Sequence, residues 1–123
     1  MMHRCIISLA SNQQQKENLA EARRRLSQIL QSADYTEELW TEPEGSSCRP
    51  GSPLYLNQLV YAFTALSADE LQEALKALER SMGRTDDDRR AGVVRIDLDL
   101  MQCDDVRYHL RDWNRRYIQD LLR

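Results

Sequence analysis

Asp97 and Asp99 are the residues of this sequence whose type and spacing most directly allow chemistry. They fall within positions 93–101, Val93-Val94-Arg95-Ile96-Asp97-Leu98-Asp99-Leu100-Met101. Val94, Ile96, Leu98 and Leu100 alternate along it, the pattern of a strand with one buried face. The other register collects Arg95, Asp97 and Asp99 on the opposite face. At a rise of ~3.3 Å per residue the two carboxylates stand about 7 Å apart at Cβ. That spacing lets them converge on hard cations, which take oxygen ligands, and two Mg²⁺ ions fit between such a pair and a nucleotide's phosphates. Solvated acids on an exposed strand face give the same pattern. In either case neighbouring carboxylates need a positive partner, and Arg95 is a candidate for it.

The chain as a whole sets bounds on this chemistry. Its 123 residues suit one domain, 1–123, with a single core. A net charge of -3 leaves no global basic field, so no nucleic-acid partner is expected and any anion must be held by local arginines or metal. Cys5, Cys48 and Cys103 show neither C-x-x-C nor Cys/His spacing, which fits reduced thiols in a cytoplasmic protein and gives no reason to expect zinc. The apolar run 5–10 is too short for a signal segment, and nothing approaches a membrane span.

The elements that must position the acids follow from periodicity. Residues 4–9 read as a buried strand, after which Ser11 or Asn12 can cap a helix over 13–32 striped by Leu19, Ala22, Leu26, Ile29 and Leu30. Arg23, Arg24 and Arg25 edge that stripe as a solvated flank. A second strand is expected near 35–41. Residues 42–53 hold all three prolines and two of the four glycines, a long loop and a candidate binding lid. Residues 55–66 form the third strand, with Tyr55, Asn57, Leu59, Tyr61 and Phe63 on one face and Leu56, Val60 and Ala62 on the other. Asn57 is the polar exception there: its amide needs partners, whether loop backbone or a ligand.

Ser67-Ala68-Asp69-Glu70 is a capping box opening a helix striped by Leu71, Leu75, Leu78 and Met82 and ended by Gly83. Glu79 is expected exposed beside that stripe. Residues 84–92 read as a charged, solvated turn. Finally, 105–123 carries Val106, Leu110, Trp113, Tyr117 and Leu121 at helical spacing, with His109 and Arg115 off the stripe. The order strand, helix, strand, strand, helix, strand, helix predicts an α+β, ferredoxin-like split βαβ domain. It has an antiparallel sheet, two helices on one face and a C-terminal helix.

Collected in order, these motifs resemble the 6-hydroxymethyl-7,8-dihydropterin pyrophosphokinases of folate biosynthesis. Ser11 and Asn12 are similar to the family's G-S-N, with Ala10 for the glycine, and Thr41-Glu42-Pro43 to its T-E-P. Pro53-Leu54-Tyr55-Leu56-Asn57 resembles P-x-[FY]-L-N, and Leu78-Glu79 with Gly83-Arg84 resembles I-E…G-R. Arg95-Ile96-Asp97-Leu98-Asp99-Leu100 resembles R-T-I-D-L-D-L, and His109 with Arg115-Arg116-Tyr117 resembles P-H…R-x-F after a shortened connection.

The resemblance implies transfer of pyrophosphate from ATP to the pterin hydroxymethyl oxygen, with release of AMP. Asp97 and Asp99 would hold two Mg²⁺ across the ATP phosphates. Tyr55 and Tyr117 would sandwich the pterin, Asn57 would bond its edge, and Thr41 and Pro43 would add backbone to that pocket. Glu79, Arg84, Arg90, His109 and Arg115 would line the nucleotide side, the last three and the two acids forming the catalytic set. The chain departs from the family's R-W-G-P-R-T before D-x-D. Ala91 stands for the Trp, Val94 for the Arg, and Arg95 is shifted by one residue. A non-catalytic relative, serving as a pterin- and nucleotide-binding or assembly module, is the alternative reading. An RNA-binding ferredoxin-like domain is disfavoured by the paired acids.

Overall fold

The computed structural model describes residues 1–43, 51–83 and 85–123. The chain's central strand is β1 (His3–Ser11), which points Cys5, Ile7 and Leu9 into the core. Helix α1 (Gln15–Leu26) follows, and then β2 (Ser32–Tyr35) and β3 (Leu39–Thr41). Strand β4 (Tyr55–Thr64) leads through α2 (Ala68–Ser81) and the short α3 (Asp86–Ala91) to β5 (Asp97–Cys103) and β6 (Val106–Arg107). A 3₁₀ turn, Asp112–Asn114, and α4 (Arg116–Leu121) complete the described elements.

The strands form one antiparallel sheet in the order β2-β4-β1-β5-β6, with β3 also paired to β4. Strands β2, β4, β1 and β5 thus have the ferredoxin-like order, as expected. Leu19, Ala22 and Leu26 of α1 and Leu71, Leu75 and Leu78 of α2 pack with Ile7, Leu9, Leu56, Val60, Leu98 and Leu100 on one face. On the opposite face a smaller core joins Leu59 and Met101 to Trp113, Ile118 and Leu121, so the C-terminal segment covers part of that side.

Several local expectations are corrected. Neither Ser11 nor Asn12 caps α1, whose cap position is Gln14 in the left-handed region with no side-chain bond. Asn12 instead grips the chain before β5: its Nδ2 donates to Gly92 O at 2.9 Å, and its Oδ1 accepts from Val94 N at 2.7 Å. The strand expected over 35–41 is two strands because the Thr36 side chain enters the ladder. Leu59 N donates to Thr36 Oγ1 at 3.0 Å, and Gln58 Nε2 donates to Thr36 O at 2.8 Å.

The capping box of α2 is present as read, with Ser67 and Glu70 exchanging side-chain bonds. In contrast, 85–92 is no irregular turn. Thr85 accepts from Asp88 N at 3.1 Å and starts α3, whose three aspartates and two arginines sit at the ends that the helix dipole favours. Strand β5 begins at Asp97, so the alternation read over 93–101 is strand only in its second half. Residues 105–123 do not form one helix. Asp104, with φ 52°, turns the chain into the β5–β6 hairpin, leaving Val106 and Leu110 exposed. Asp is one of the few residues that take this conformation readily.

Candidate active site

Register alone assembles the centre of the site. Ala10 of β1 pairs with Asn57 of β4 on one side and with Asp97 of β5 on the other. An amide, a methyl group and a carboxylate therefore stand in one row, with the outer two about 10 Å apart across two strand spacings. The small side chain in the middle leaves a floor. Above it lies a hollow of about 210 Å³ lined by Ala10, Thr41, Glu42, Pro43, Tyr55, Asn57, Asp97, Arg115 and Tyr117. Tyr55 reaches it from the start of β4, opposite Thr41 of β3. Arg115 and Tyr117 come from the last turn and helix, which the Trp113 core anchors to the same sheet face.

Asn57 is 2% exposed, and its Nδ2 donates to Leu39 O at 3.0 Å and to Thr41 Oγ1 at 2.8 Å. Both amide hydrogens are thereby used to fix β3, which leaves the amide oxygen as the acceptor this side chain can present. Arg115 is steadied by Asp112, with Nε 3.0 Å from Oδ1.

The hollow brings together seven residues singled out in the sequence: Thr41, Pro43, Tyr55, Asn57, Asp97, Arg115 and Tyr117. Asp99 lies one pleat further along β5, with His109 Nε2 at 3.7 Å from its Oδ1. Arg90 is not in this hollow. It lines a neighbouring one of about 320 Å³ that shares Pro43 and Tyr55, along with Asn12, Arg89 and Gly92. Arg84 and residues 44–50 of the expected lid lie outside the described residues.

Two expectations about charge are overturned. Glu79 is not exposed: it is 2% accessible and its Oε2 accepts from Leu98 N at 2.7 Å. It thereby caps a peptide N–H on the outer edge of β5, where β6 pairs only with Gln102 and Cys103. Nor is Arg95 the partner of the paired acids. Its Nε donates to Asp88 Oδ2 at 2.9 Å, and this bond holds the Asp88 carboxyl below its ordinary range.

A positive group at Asp99 is Lys76 of α2, which reaches over the same edge. Its Nζ lies 3.0 Å from Glu79 Oε2, 2.9 Å from Leu98 O and 3.2 Å from Asp99 Oδ1. Burial works against its charge, but Asp99, Glu79 and Asp97 outweigh that and hold its pKa above the ordinary lysine value. Lys76 was not singled out in the sequence, where its three-residue spacing from Glu79 fits any ordinary ion pair on one helix.

As a donor set, Asp97 and Asp99 offer only carboxylate oxygens on one strand face, which suits Mg²⁺. Away from the cleft, donor atoms of His3, Cys103 and Asp104 lie within 4.8 Å of one another. This grouping, which sequence spacing did not disclose, is explained by the His3–Asp104 contact of 2.7 Å. Among the described residues no helix is long and apolar enough to cross a membrane.

No curated protein matches the chain. A family model does match, that of 7,8-dihydro-6-hydroxymethylpterin-pyrophosphokinase (HPPK), over residues 6–122. That span runs from the central strand through the last helix and takes in every residue of the hollow. The chain belongs to the 7,8-dihydro-6-hydroxymethylpterin-pyrophosphokinase family.

Proposed function

We propose that this chain catalyses the reaction its family membership implies, transfer of pyrophosphate from ATP to the hydroxymethyl oxygen of 6-hydroxymethyl-7,8-dihydropterin. The observation that carries the reading is the row Asn57, Ala10, Asp97 in one hollow with Tyr55 and Tyr117. A flat heterocycle fits between two aromatic rings, its edge facing the Asn57 amide oxygen and the backbone of Thr41 and Pro43. Seated there, its hydroxymethyl group extends along the row towards Asp97.

The hydroxyl oxygen attacks the β-phosphorus of ATP as its proton passes to solvent, and the bond from that phosphorus to the α–β bridging oxygen breaks, so AMP leaves with that oxygen. Such transfers depend on in-line placement and charge neutralisation more than on a strong base. Arg115 at the hollow, His109 beside Asp99 and Arg90 across Tyr55 supply positive or proton-donating groups on the phosphate side. Asp97 and Asp99 would hold Mg²⁺, which neutralises the phosphate oxygens when bound. Glu79 has no direct part in this reading. Its role is to set the edge of β5, and through that edge the position of both acids.

The test is incubation with ATP, Mg²⁺ and the hydroxymethyl-dihydropterin while AMP is followed. AMP that forms with the wild-type chain and disappears in Asp97→Ala supports the reading. Pterin or ATP binding without AMP would replace it with the non-catalytic binding module.

A further inference from the structure

At the far end of β1 and β5 from the hollow, a histidine, a thiol and a carboxylate meet. Donor atoms of His3, Cys103 and Asp104 all lie within 4.8 Å of one another. His3 stands seven residues before Ala10 on β1, so at ~3.3 Å per residue the grouping is about 23 Å from the floor of the hollow.

Two departures from regular strand geometry put these groups together. By alternation alone Cys103 belongs with Asp97, Asp99 and Met101 on the face of the hollow. The β1–β5 register shifts between Ile6 and Ile7: Leu100 pairs with Ile7 and Gln102 with Ile6, which leaves Met101 as the extra residue of a bulge. The bulge returns Cys103 to the helix-side face opposite Cys5, whose alternate neighbour on that face is His3. Asp104, at φ 52°, then turns the chain, and its carboxylate is oriented from two sides. Arg4 N donates to Oδ1 at 3.1 Å, and His3 Nδ1 lies 2.7 Å from Oδ2. The His3–Asp104 contact explains why those two meet; the bulge adds a thiol that an ion pair does not need.

We propose that His3, Cys103 and Asp104 form a Zn²⁺ site with three protein ligands and a fourth position for water. A sulfur, an imidazole nitrogen and a carboxylate oxygen suit zinc, whereas Mg²⁺ and Ca²⁺ take oxygen. Zn²⁺ holds sulfur at about 2.3 Å and nitrogen or oxygen at about 2.0–2.1 Å, which sets tetrahedral donors about 3.3–3.6 Å apart. Side-chain rotation brings the three donors to that spacing. One thiolate and one carboxylate neutralise the ion, and the Cys103 proton passes to solvent on binding. The bond from Arg4 N fixes the ligating carboxylate, as outer partners do at metal sites. Asp104 is exposed and His3 partly so, which opens the site to solvent. The ion ties the start of β1 to the β5–β6 turn, across 101 positions of sequence that hide the pattern from any reading of spacing.

Cobalt tests the proposal. The reduced, metal-free chain is titrated with Co²⁺, which takes zinc sites and reports them by absorption: a thiolate ligand gives a near-ultraviolet charge-transfer band, and four-coordination gives strong visible bands. Both are expected to saturate at one Co²⁺ per chain, to bleach on addition of Zn²⁺ and to persist in Asp97→Ala. Cys103→Ser should abolish the charge-transfer band, and His3→Ala should weaken Co²⁺ binding at least about tenfold. Absence of the thiolate band in the wild-type chain overturns the proposal. So does a band that survives in Cys103→Ser, a band lost in Asp97→Ala, or an undiminished affinity in His3→Ala. Should Cys103→Ser fail to fold, the melting temperature decides: Zn²⁺ raises it in the wild type and not in His3→Ala, and an equal rise in both overturns the site.

Discussion

The two faces of the sheet are built from the same strands and solve different problems. The face under α1 and α2 is mainly apolar, from Cys5 and Cys103 at one end to Leu9, Leu56 and Leu98 at the other, with Gln58 as a buried polar residue bonded to Arg23 of α1. The opposite face changes character partway along each strand. On β4, Leu59 is core and Asn57 belongs to the hollow; on β5, Met101 is core and Asp97 belongs to the hollow; on β1, Ile6 packs on the core and Ala10 floors the hollow. Burial of apolar surface dominates the first face, whereas it stabilises the second at one end only, and that end supports the hollow. The candidate site thus takes up only half of one face.

If that division is correct, the largest effect comes from removing the support. Trp113 is 6% exposed, donates from Nε1 to Tyr108 O at 3.0 Å and carries the Arg107 guanidinium 4.1 Å from its ring centroid. Trp113→Ala is expected to cost about 3–5 kcal/mol in urea unfolding, the usual range for a buried aromatic. Because Arg115 and Tyr117 follow directly in the chain, ligand affinity should fall at urea-free conditions too. Loss of stability with unchanged affinity would mean that the two ends of this face are independent.

Glu79→Ala comes next. It leaves Leu98 N–H without its acceptor and Lys76 without its buried partner. An unsatisfied buried group of this kind costs about 1–3 kcal/mol. Activity should fall further than stability, since β5 carries both acids. Glu79→Gln keeps an acceptor for Leu98 N–H and is expected to recover most of the stability, read from the same unfolding curves.

Ala10→Leu probes the hollow end alone. The added carbons enter open space in place of packed core, so the unfolding free energy should change by only about 0.5 kcal/mol, as for a surface substitution. Pterin binding, followed by fluorescence or calorimetry, should be lost because the floor between Asn57 and Asp97 is raised. A large drop in stability would show that the hollow is packed more tightly than its lining residues indicate.

What the sequence disclosed follows the same division. The helix-facing core was legible because one physical demand, burial, repeats along every strand and leaves alternation at Leu98 and Leu100 and a stripe at Leu71, Leu75 and Leu78. The aromatics, the amide and Asp97 of the hollow were singled out by motif order, and register then gathered them. Glu79 was misread and Lys76 was not singled out, because which polar side chain of α2 reaches over a sheet edge depends on where the edge lies. No local pattern encodes that. Residues 105–123 misled for a related reason: Val106 and Leu110 match a helical stripe but are exposed, since the Asp104 turn commits the chain to a hairpin first. The strand at 35–41 broke because a single threonine side chain can replace a rung of the ladder.

The smallest effect belongs to Arg95, and it separates two accounts of the chain's departure from its family. Were Arg95 a phosphate-side arginine displaced by one residue, Arg95→Met would depress AMP formation by orders of magnitude. In the structure its guanidinium is bound to Asp88 of α3, on the flank of the domain. The substitution should therefore leave AMP formation unchanged and lower the melting temperature modestly, as expected of a partly exposed ion pair. The pH dependence follows from the lowered Asp88 pKa. Arg95 stabilises the carboxylate form in the folded chain, so the contribution is complete above the ordinary Asp88 value of 3.8. It is lost as acid protonates the folded carboxyl at lower pH. Melting curves of the wild type and Arg95→Met should accordingly differ at neutral pH and converge in strong acid. A gap that persists in acid would show that Arg95 acts through its aliphatic stem, not through Asp88.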